Sequence, residues 1–348
     1  MKAFKDNFFP LNKKTKVILS SIAFLALFLF PQVYPKSYVM GIMCRIFMYT
    51  ILAGSLNVIN GYSGQFSIGH AGFYCVGAYV EAILALRFGL SFWIALPMGG
   101  IAAGVIGYLV ALPTIRLKGI YLSIVTLGFS EIIRLIALNW EGVTGGPNGI
   151  KGIPAPVLLG NRISSSVQYY YIFFFLALLF IFITNRVIHS RIGRAWTSIR
   201  EDELAAKSLG VETGFYKALN FMYGAFWAGI AGAAFSPYFK FISSDMFTLD
   251  EGFNILSMVI IGGQGTLIGP IAGAAIVNLL TELLRPVAQY RMVVYALLII
   301  IMMWVRPQGI VGDSESILAG GKMKRTGLKT KAIQRNKVSN TNSLGKEI

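Results

Sequence analysis

The stretch NVINGYSGQFSIGHAGFYCVGAYV, residues 57–80, indicates the kind of fold that this chain adopts. It is apolar enough for a membrane helix, yet four glycines and several polar side chains fall between Gly61 and Gly72. Hydrocarbon cannot satisfy the backbone groups that such a break in a helix would free. The stretch therefore predicts an interrupted membrane helix that faces other protein segments or a water-filled path.

The composition agrees with a membrane protein. Hydrophobic residues make up 55% of the 348 residues, charged residues only 13%, and the mean hydropathy is +0.65. These values exclude an ordinary soluble globule. Cys44 and Cys75 both lie in apolar runs, which favours small buried residues over a disulfide, metal or redox site. No cofactor or metal is expected.

Apolar runs long enough to cross the membrane recur along the whole chain. Crossing about 30 Å of hydrocarbon takes roughly 20 helical residues. The candidate segments lie at 17–34, 39–60, 66–88, 91–112, 119–138, 168–185, 217–238, 252–262, 266–284 and 291–305, of which the last three are short or broken by glycine. The pattern predicts an all-α polytopic membrane protein with about ten transmembrane segments.

Basic residues indicate the orientation. They cluster in an arm at 1–16, in a loop at 186–217 and in a tail at 313–348. The positive-inside rule places all three in the cytoplasm, which requires six crossings and then four, as the ten segments supply. Both termini are therefore expected to be cytoplasmic, flanking a transmembrane domain at 17–312. The net charge of +16 fits this orientation and contact with anionic membrane lipid, not nucleic-acid binding. The tail is predicted to be disordered.

The loop at 186–217 interrupts the apolar pattern with a charged, helix-prone sequence. Ser198 followed by Glu201 fits a capping box, which predicts a short helix over 199–209 that ends at a left-handed Gly210. Its small residues leave one side smooth and suited to insertion into a groove of another protein. The alternative is an amphipathic helix lying on the membrane surface. The candidate contact residues are Ser198, Glu201, Glu203, Ala205, Ala206 and Gly210.

The interrupted helix is the candidate solute path. Transporters offer freed backbone groups and helix ends to a substrate at such breaks. The alternative is a tight turn with small-residue helix packing, its polar side chains bonded to neighbours. A second break is predicted between Gly262 and Pro270. The path candidates at the first break are Asn57, Gly64, Gln65, Ser67, Gly69 and His70.

Five stretches resemble one transporter family. GRAWTSIREDELAAKSLGV, residues 193–211, resembles the cytoplasmic coupling loop of ABC-importer permeases, whose pattern is Glu-Ala-Ala, three residues, Gly; here Leu204 stands at the Glu position and Glu203 one place earlier. The opening stretch and three others are similar, in order, to the LivM-type permease subunit of branched-chain amino acid ABC importers. These three are RLKGIYLSIVTLGFSEIIRL (116–135), TGGPNGIKGIP (144–154) and IIGGQGTLIGPIAGA (260–274). The partner LivH type is not expected to carry the TGGPNGI segment, so the resemblance favours LivM.

The resemblance implies a subunit of a larger importer in a bacterial or archaeal cytoplasmic membrane. A second permease of the LivH type would complete the pathway, two cytoplasmic ATPase subunits would dock on the coupling loops, and an extracytoplasmic solute-binding protein would deliver solute. Leucine, isoleucine and valine are the implied solutes, with urea or another small polar solute as the alternative. The chain contains no Gly-x-x-x-x-Gly-Lys-Ser/Thr sequence, so it is not expected to be an enzyme.

Two other classes of membrane protein would need different functional residues in the sequence. A stand-alone secondary transporter or channel would need ionisable groups within the membrane, for which Glu81, Glu131 and Glu282 are the candidates. A membrane enzyme would need a cluster of acids, histidines or cysteines on one side of the membrane, and the sequence suggests none.

The predicted orientation can be tested by labelling single thiols in a background without Cys44 and Cys75. A membrane-impermeant maleimide should label Asn148→Cys in intact cells and should reach Ser198→Cys only after the membrane is permeabilised. Labelling of position 198 from outside would overturn the assignment of the charged loop to the cytoplasm.

Overall fold

The computed structural model describes residues 24–117, 119–158, 160–285, 290–306 and 309–311. The predicted basic arm at 1–16, the start of the first segment and the tail at 313–348 lie outside these residues.

The described residues are mainly helical. The helices are α1 Phe24–Val33, α2 Ser37–Asn57, α3 His70–Arg87, α4 Phe92–Thr114, α5 Ile120–Asn139, α6 Glu141–Thr144, α7 Ser166–Ile188, α8 Arg191–Glu201, α9 Glu203–Ser208, α10 Thr213–Phe239, α11 Leu249–Gly262, α12 Gly269–Leu283 and α13 Arg291–Val305. Short 3₁₀ turns span Gly146–Asn148 and Ser244–Phe247. The strands are β1 Ile150–Lys151, β2 Val157–Leu158, β3 Asn161–Arg162 and β4 Phe241–Ile242, and β1 pairs with β4 and β2 with β3, both antiparallel.

The prediction of an all-α membrane protein is confirmed. Five of the described helices are long and apolar enough to cross a membrane: α2 with its continuation to Tyr62, α4, α5, α7 and α10. Helices α11 and α12 have only 14 and 15 residues, or about 21–22 Å at 1.5 Å per residue. Each is therefore shorter than the hydrocarbon core. The start of a segment predicted at 66 is wrong, because residues 63–69 are not helical and α3 begins at His70.

Helix α10 lies at the centre of the fold because small residues let its backbone approach its neighbours. A Cβ atom on Gly77 of α3 would stand 2.1 Å from the carbonyl oxygen of Gly229 in α10. A Cβ atom on Gly232 would stand equally close, at 2.1 Å, to the carbonyl oxygen of Tyr74. Gly99 of α4 lies against the same pair of helices. Close backbone contact through glycine replaces the hydrophobic driving force that helices lack in lipid. Helices α3, α4 and α10 therefore form one tightly packed unit.

The end of α10 opposite the charged loop is fastened by backbone contacts. Lys240 ends the helix with a φ of 57°, in the left-handed region. Its carbonyl oxygen accepts hydrogen bonds from Gly152 N at 3.1 Å and Ile153 N at 3.4 Å. The loop between α5 and α7 is thus held against the end of α10.

Glycine packing can be tested with a matched pair of substitutions in helix interiors. Gly77→Ala should destabilise the protein by about 1–3 kcal/mol or more, because the added methyl group meets backbone that cannot rotate away. Gly128→Ala should keep or raise stability, since a Cβ there meets nothing within 4 Å and alanine is the better helix former by about 1 kcal/mol. Thermal unfolding of the purified protein measures both. Equal melting temperatures would contradict the packing argument.

Candidate functional site: two helix breaks and a charged helix pair

The first break follows α2. The helix ends at Asn57, one π-helical turn spans Val58–Tyr62, and residues 63–69 form neither helix nor strand before α3 begins at His70. Gly64 has a φ of +69°, a conformation that glycine adopts without steric cost. The interrupted helix predicted from the sequence is confirmed.

The second break separates α11 from α12. Gly263 and Gly265 have φ values of 116° and 77°, and helical geometry returns at Gly269. The 309–311 segment covers the end of α11. Ile310 N donates to the carbonyl of residue 261 and Val311 N to that of residue 262, both at 3.0 Å. The second predicted break is therefore also present, and part of its freed backbone is satisfied by protein.

The two breaks contact each other. The Asn57 side chain accepts a hydrogen bond from Gly265 N at 2.9 Å and donates to the Thr266 carbonyl at 2.8 Å. A Cβ atom on Gly61 would stand 2.3 Å from Gly265 N. One buried amide thus satisfies both a donor and an acceptor in the second break, and the glycines allow the two backbones to meet. We call this contact the break junction.

Most other path candidates are used inside the chain. His70 Nε2 lies 2.8 Å from Ser55 Oγ, and Gln65 Nε2 donates to Ser63 Oγ at 2.6 Å. Ser67 is fully buried, and its backbone N donates to Asn60 Oδ1 at 3.0 Å. The contacts of His70 and Gln65 match the alternative of a turn with bonded polar side chains, whereas the buried hydroxyl of Ser67 has no hydrogen-bond partner within the described residues.

The two glycine candidates differ in their surroundings. A Cβ atom on Gly69 would stand 2.2 Å from the Thr126 carbonyl oxygen, so this residue packs directly against α5. Gly64 is exposed at the surface of the chain. Within the described residues, the six candidates therefore do not line one common open path.

The charged loop forms two helices, and the single helix predicted over 199–209 is wrong. Helix α8 begins earlier, after Ser190, whose side chain accepts from Ile192 N at 3.2 Å. Helix α9 begins after Asp202, whose carboxylate accepts from the backbone N of the residues two and three positions on. The predicted capping box is also wrong, because Ser198 lies inside α8 and its hydroxyl donates to the Arg194 carbonyl. Asp202, and not Ser198, therefore caps the second helix, because its carboxylate accepts two backbone hydrogen bonds at the start of α9.

The end of the helix pair matches the sequence. Gly210 has a φ of 84°, as predicted for a left-handed cap.

The helix pair is fastened to the first break. Arg200 Nη1 of α8 donates to the Gly61 carbonyl oxygen at 2.7 Å. Glu203 of α9 pairs with Lys217 of α10 at 2.5 Å, and Trp196 Nε1 donates to the Tyr216 carbonyl at 2.9 Å. A displacement of the helix pair would therefore act directly on the π-helical turn. Arg200 was not singled out in the sequence, because only the tertiary structure places it beside a backbone carbonyl 139 residues away.

Two leucines are exposed in α9 and directly after it. Leu204 is 74% exposed and Leu209, the residue that follows the helix, is 85% exposed, among charged neighbours. Ala206 is buried instead, whereas Ser198, Glu201 and Ala205 are exposed and Glu203 is half-buried. Leu204 and Leu209 were not among the contact residues predicted from the sequence. Exposed large apolar residues in a charged region are typical of protein contact sites.

Two of the three glutamates in apolar helices form ion pairs. Arg134 Nε donates to both carboxylate oxygens of Glu131 at 3.0 Å. Glu81 is fully buried; its Oε2 accepts a hydrogen bond from the Ser236 hydroxyl, and its Oε1 has no partner within the described residues. Glu282 pairs with Arg45 at 2.8 Å.

Comparison with known proteins covers most of the chain. Residues 38–303 match the family described as branched-chain amino acid transport system / permease component. The high-affinity branched-chain amino acid transport system permease protein LivM of Salmonella typhimurium is 38% identical over 76% of this chain and 68% of its own length. The probable branched-chain amino acid transport permease protein LivM of Methanocaldococcus jannaschii is 24% identical over 80% of this chain and 94% of its own.

The partner type of permease is more distant. The high-affinity permease protein LivH of Escherichia coli K12 is 25% identical over 77% of this chain and 92% of its own. No solved structure matches the chain. The extent of the family match, together with two broken apolar helices that meet in a multi-pass membrane protein, shows that the chain belongs to the permease-component family of branched-chain amino acid transport systems.

Proposed function

We propose that the chain is the LivM-type permease subunit of an ATP-driven importer of leucine, isoleucine and valine. The observation that carries the proposal is the helix pair α8–α9, which exposes leucines and is hydrogen-bonded to a helix break through Arg200. A stand-alone carrier has no use for such a device. The LivM relatives are described as branched-chain amino acid transport permeases, which supports the choice of solute.

The complete importer contains further subunits. A LivH-type permease forms the other half of the pathway, two cytoplasmic ATPase subunits hydrolyse ATP, and an extracytoplasmic binding protein delivers the solute. The chain lies in the cytoplasmic membrane of a bacterium or archaeon, with about ten crossings and both termini in the cytoplasm. The charge distribution of the sequence supports this orientation.

The helix pair couples ATP hydrolysis to the membrane segments. An ATPase groove receives Leu204 and Leu209, and burying one leucine contributes about 1.5–3 kcal/mol. Closure of the ATPases is a rigid-body movement, and the bond from Arg200 to Gly61 carries it to the break junction. Ser198, Glu201, Ala205 and Gly210 lie at the edge of this docking surface.

The path candidates divide into two roles. Asn57 and His70 hold the shape of the first break through side-chain bonds, and Ser67 does so through the bond of its backbone N to Asn60. The surface that carries Gly64 faces the pathway shared with the second permease. Helix breaks are tolerated at membrane depth where they are buried in protein or line a cavity, and the two roles correspond to these two situations.

Docking can be tested by placing charge on the exposed leucines. Leu204→Glu with Leu209→Glu should weaken ATPase binding by about tenfold or more, because the loss of a buried leucine costs at least about 1.4 kcal/mol. Co-purification of the ATPases and solute uptake by the reconstituted complex measure the effect.

A matched control lies on the opposite side of the predicted membrane. Leu158→Glu alters a leucine that is 51% exposed on the β2–β3 hairpin and should leave ATPase binding unchanged. Normal ATPase binding and uptake by the Leu204 and Leu209 double variant would overturn the docking assignment.

The solute can be tested by reconstituting the importer with its own binding protein and comparing labelled leucine with labelled urea. ATP-dependent accumulation of leucine, and not of urea, is expected. Accumulation of urea alone would refute the substrate while leaving the class of transporter intact.

A further inference from the structure

A cavity of about 760 Å³ lies at the end of the molecule opposite the helix pair. It opens between the start of α2, the start of α7 and the ends of α10 and α12. On the orientation predicted from charge, this end faces the outside. The wall residues on which the inference rests are Tyr38, Arg45, Tyr169, Tyr238, Glu282 and Arg285.

One wall of the cavity carries charges of both signs. The Glu282 carboxylate accepts from Arg45 Nη2 at 2.8 Å and from the Tyr38 hydroxyl, and Arg285 Nη1 lies 3.5 Å away. The carboxylate is sheltered, with 18% of its side chain exposed, whereas the Arg45 and Arg285 side chains are 42% and 73% exposed. The Glu282 carboxylate is therefore held in place, while the guanidinium groups of Arg45 and Arg285 remain accessible from the cavity.

Another wall is aromatic. The rings of Tyr169 and Tyr238 pack edge to face with centroids 5.1 Å apart, and the Tyr169 hydroxyl is used in a bond to the Pro237 carbonyl. The faces of these rings offer apolar surface beside the charged group. Pockets with an apolar lining and a few placed polar groups are typical of small-molecule sites.

We infer that this cavity binds a zwitterionic amino acid at the external face, an inference that rests on the proposed function. The ammonium group bonds to Glu282 at the position where Arg285 now lies. The carboxylate accepts from the guanidinium of Arg45, a geometry that arginine favours, and the aliphatic side chain lies against Tyr169 and Tyr238.

The zwitterion leaves no sheltered charge unpaired. Its ammonium replaces Arg285 as a partner of Glu282 and its carboxylate becomes the partner of Arg45, while the displaced Arg285 side chain, already 73% exposed, is left to solvent; an unpaired charge in a sheltered site would be costly. A neutral solute such as urea can hydrogen-bond to these groups but supplies no charge to either of them. The arrangement therefore selects for a molecule that carries both charges.

The site is linked to the break junction through α2 and α12. Helix α2 contacts α12 through Arg45 and Glu282, and the last residue of α2, Asn57, contacts Thr266 in the break that precedes α12. A solute that enters the ion pair loosens the outer contact while the inner contact remains closed. This is the order that alternating access requires of an importer.

Protection of an introduced thiol tests the site directly. Ser166→Cys places a thiol in the wall of the cavity, and Cys44 and Cys75 are both buried. The variant complex, in nanodiscs without binding protein, is labelled with a membrane-impermeant maleimide. At about ten times the dissociation constant of leucine, labelling should slow about tenfold, since the rate follows the unoccupied fraction. 4-Methylpentanoate and 3-methylbutylamine, which each carry one charge, should give no protection.

Matched variants separate the site from general effects. Glu282→Gln should raise the leucine concentration for half-protection by about tenfold or more, because a charge-assisted bond is lost. Glu131→Gln removes a different ion pair outside the cavity and should leave protection unchanged. Asn161→Cys, an exposed control position, should label equally with and without leucine.

The outcomes are distinct from those of the proposed function. Wild-type complex that takes up leucine, combined with labelling at position 166 that leucine does not slow, would overturn the site. Equal protection in the Glu282→Gln variant would do the same. Failure of the wild-type complex to take up leucine would overturn the proposed function instead.

Discussion

Each broken membrane helix must satisfy the backbone groups it frees, and in this protein the two breaks help to satisfy each other. The amide of Asn57 supplies both an acceptor for Gly265 N and a donor for the Thr266 carbonyl. No water is available in hydrocarbon to replace these bonds. The break junction therefore fixes α2 against α12, and the neighbouring elements are arranged around that contact.

The molecule divides into a rigid part and a part with fewer direct backbone contacts. Helices α3, α4 and α10 meet through glycines with carbonyl oxygens within about 2–3 Å of where a Cβ would lie, and such an interface resists sliding because interiors are close-packed. At the breaks, one glycine contact, between Gly61 and Gly265, is joined by individual hydrogen bonds from Asn57 and Arg200. Rearranging these few bonds takes less force than separating the packed backbones of α3, α4 and α10.

Helix α2 connects the three regions proposed to act in transport. Arg45, eight residues from its start, forms the ion pair with Glu282, its last residue is Asn57, and the π-helical turn that follows accepts the bond from Arg200. The break junction and the proposed external site therefore lie on one continuous element, to which the proposed docking surface is linked by Arg200. This continuity gives coupling a physical route, through one helix and named hydrogen bonds.

The sequence by itself determined the class of protein, the positions of the main apolar helices, both helix breaks and the left-handed cap at Gly210. These features depend on local quantities, namely hydrophobic length, glycine content and charge along the chain. The tertiary structure alone decided that Asp202 splits the charged segment into two helices, that His70 and Gln65 bond within the chain, and that Arg200 reaches Gly61. It also brought Arg45 and Glu282, 237 residues apart, into one ion pair. Hydrophobic periodicity states which face of a helix avoids water, but it carries no information on which distant polar group each side chain will meet.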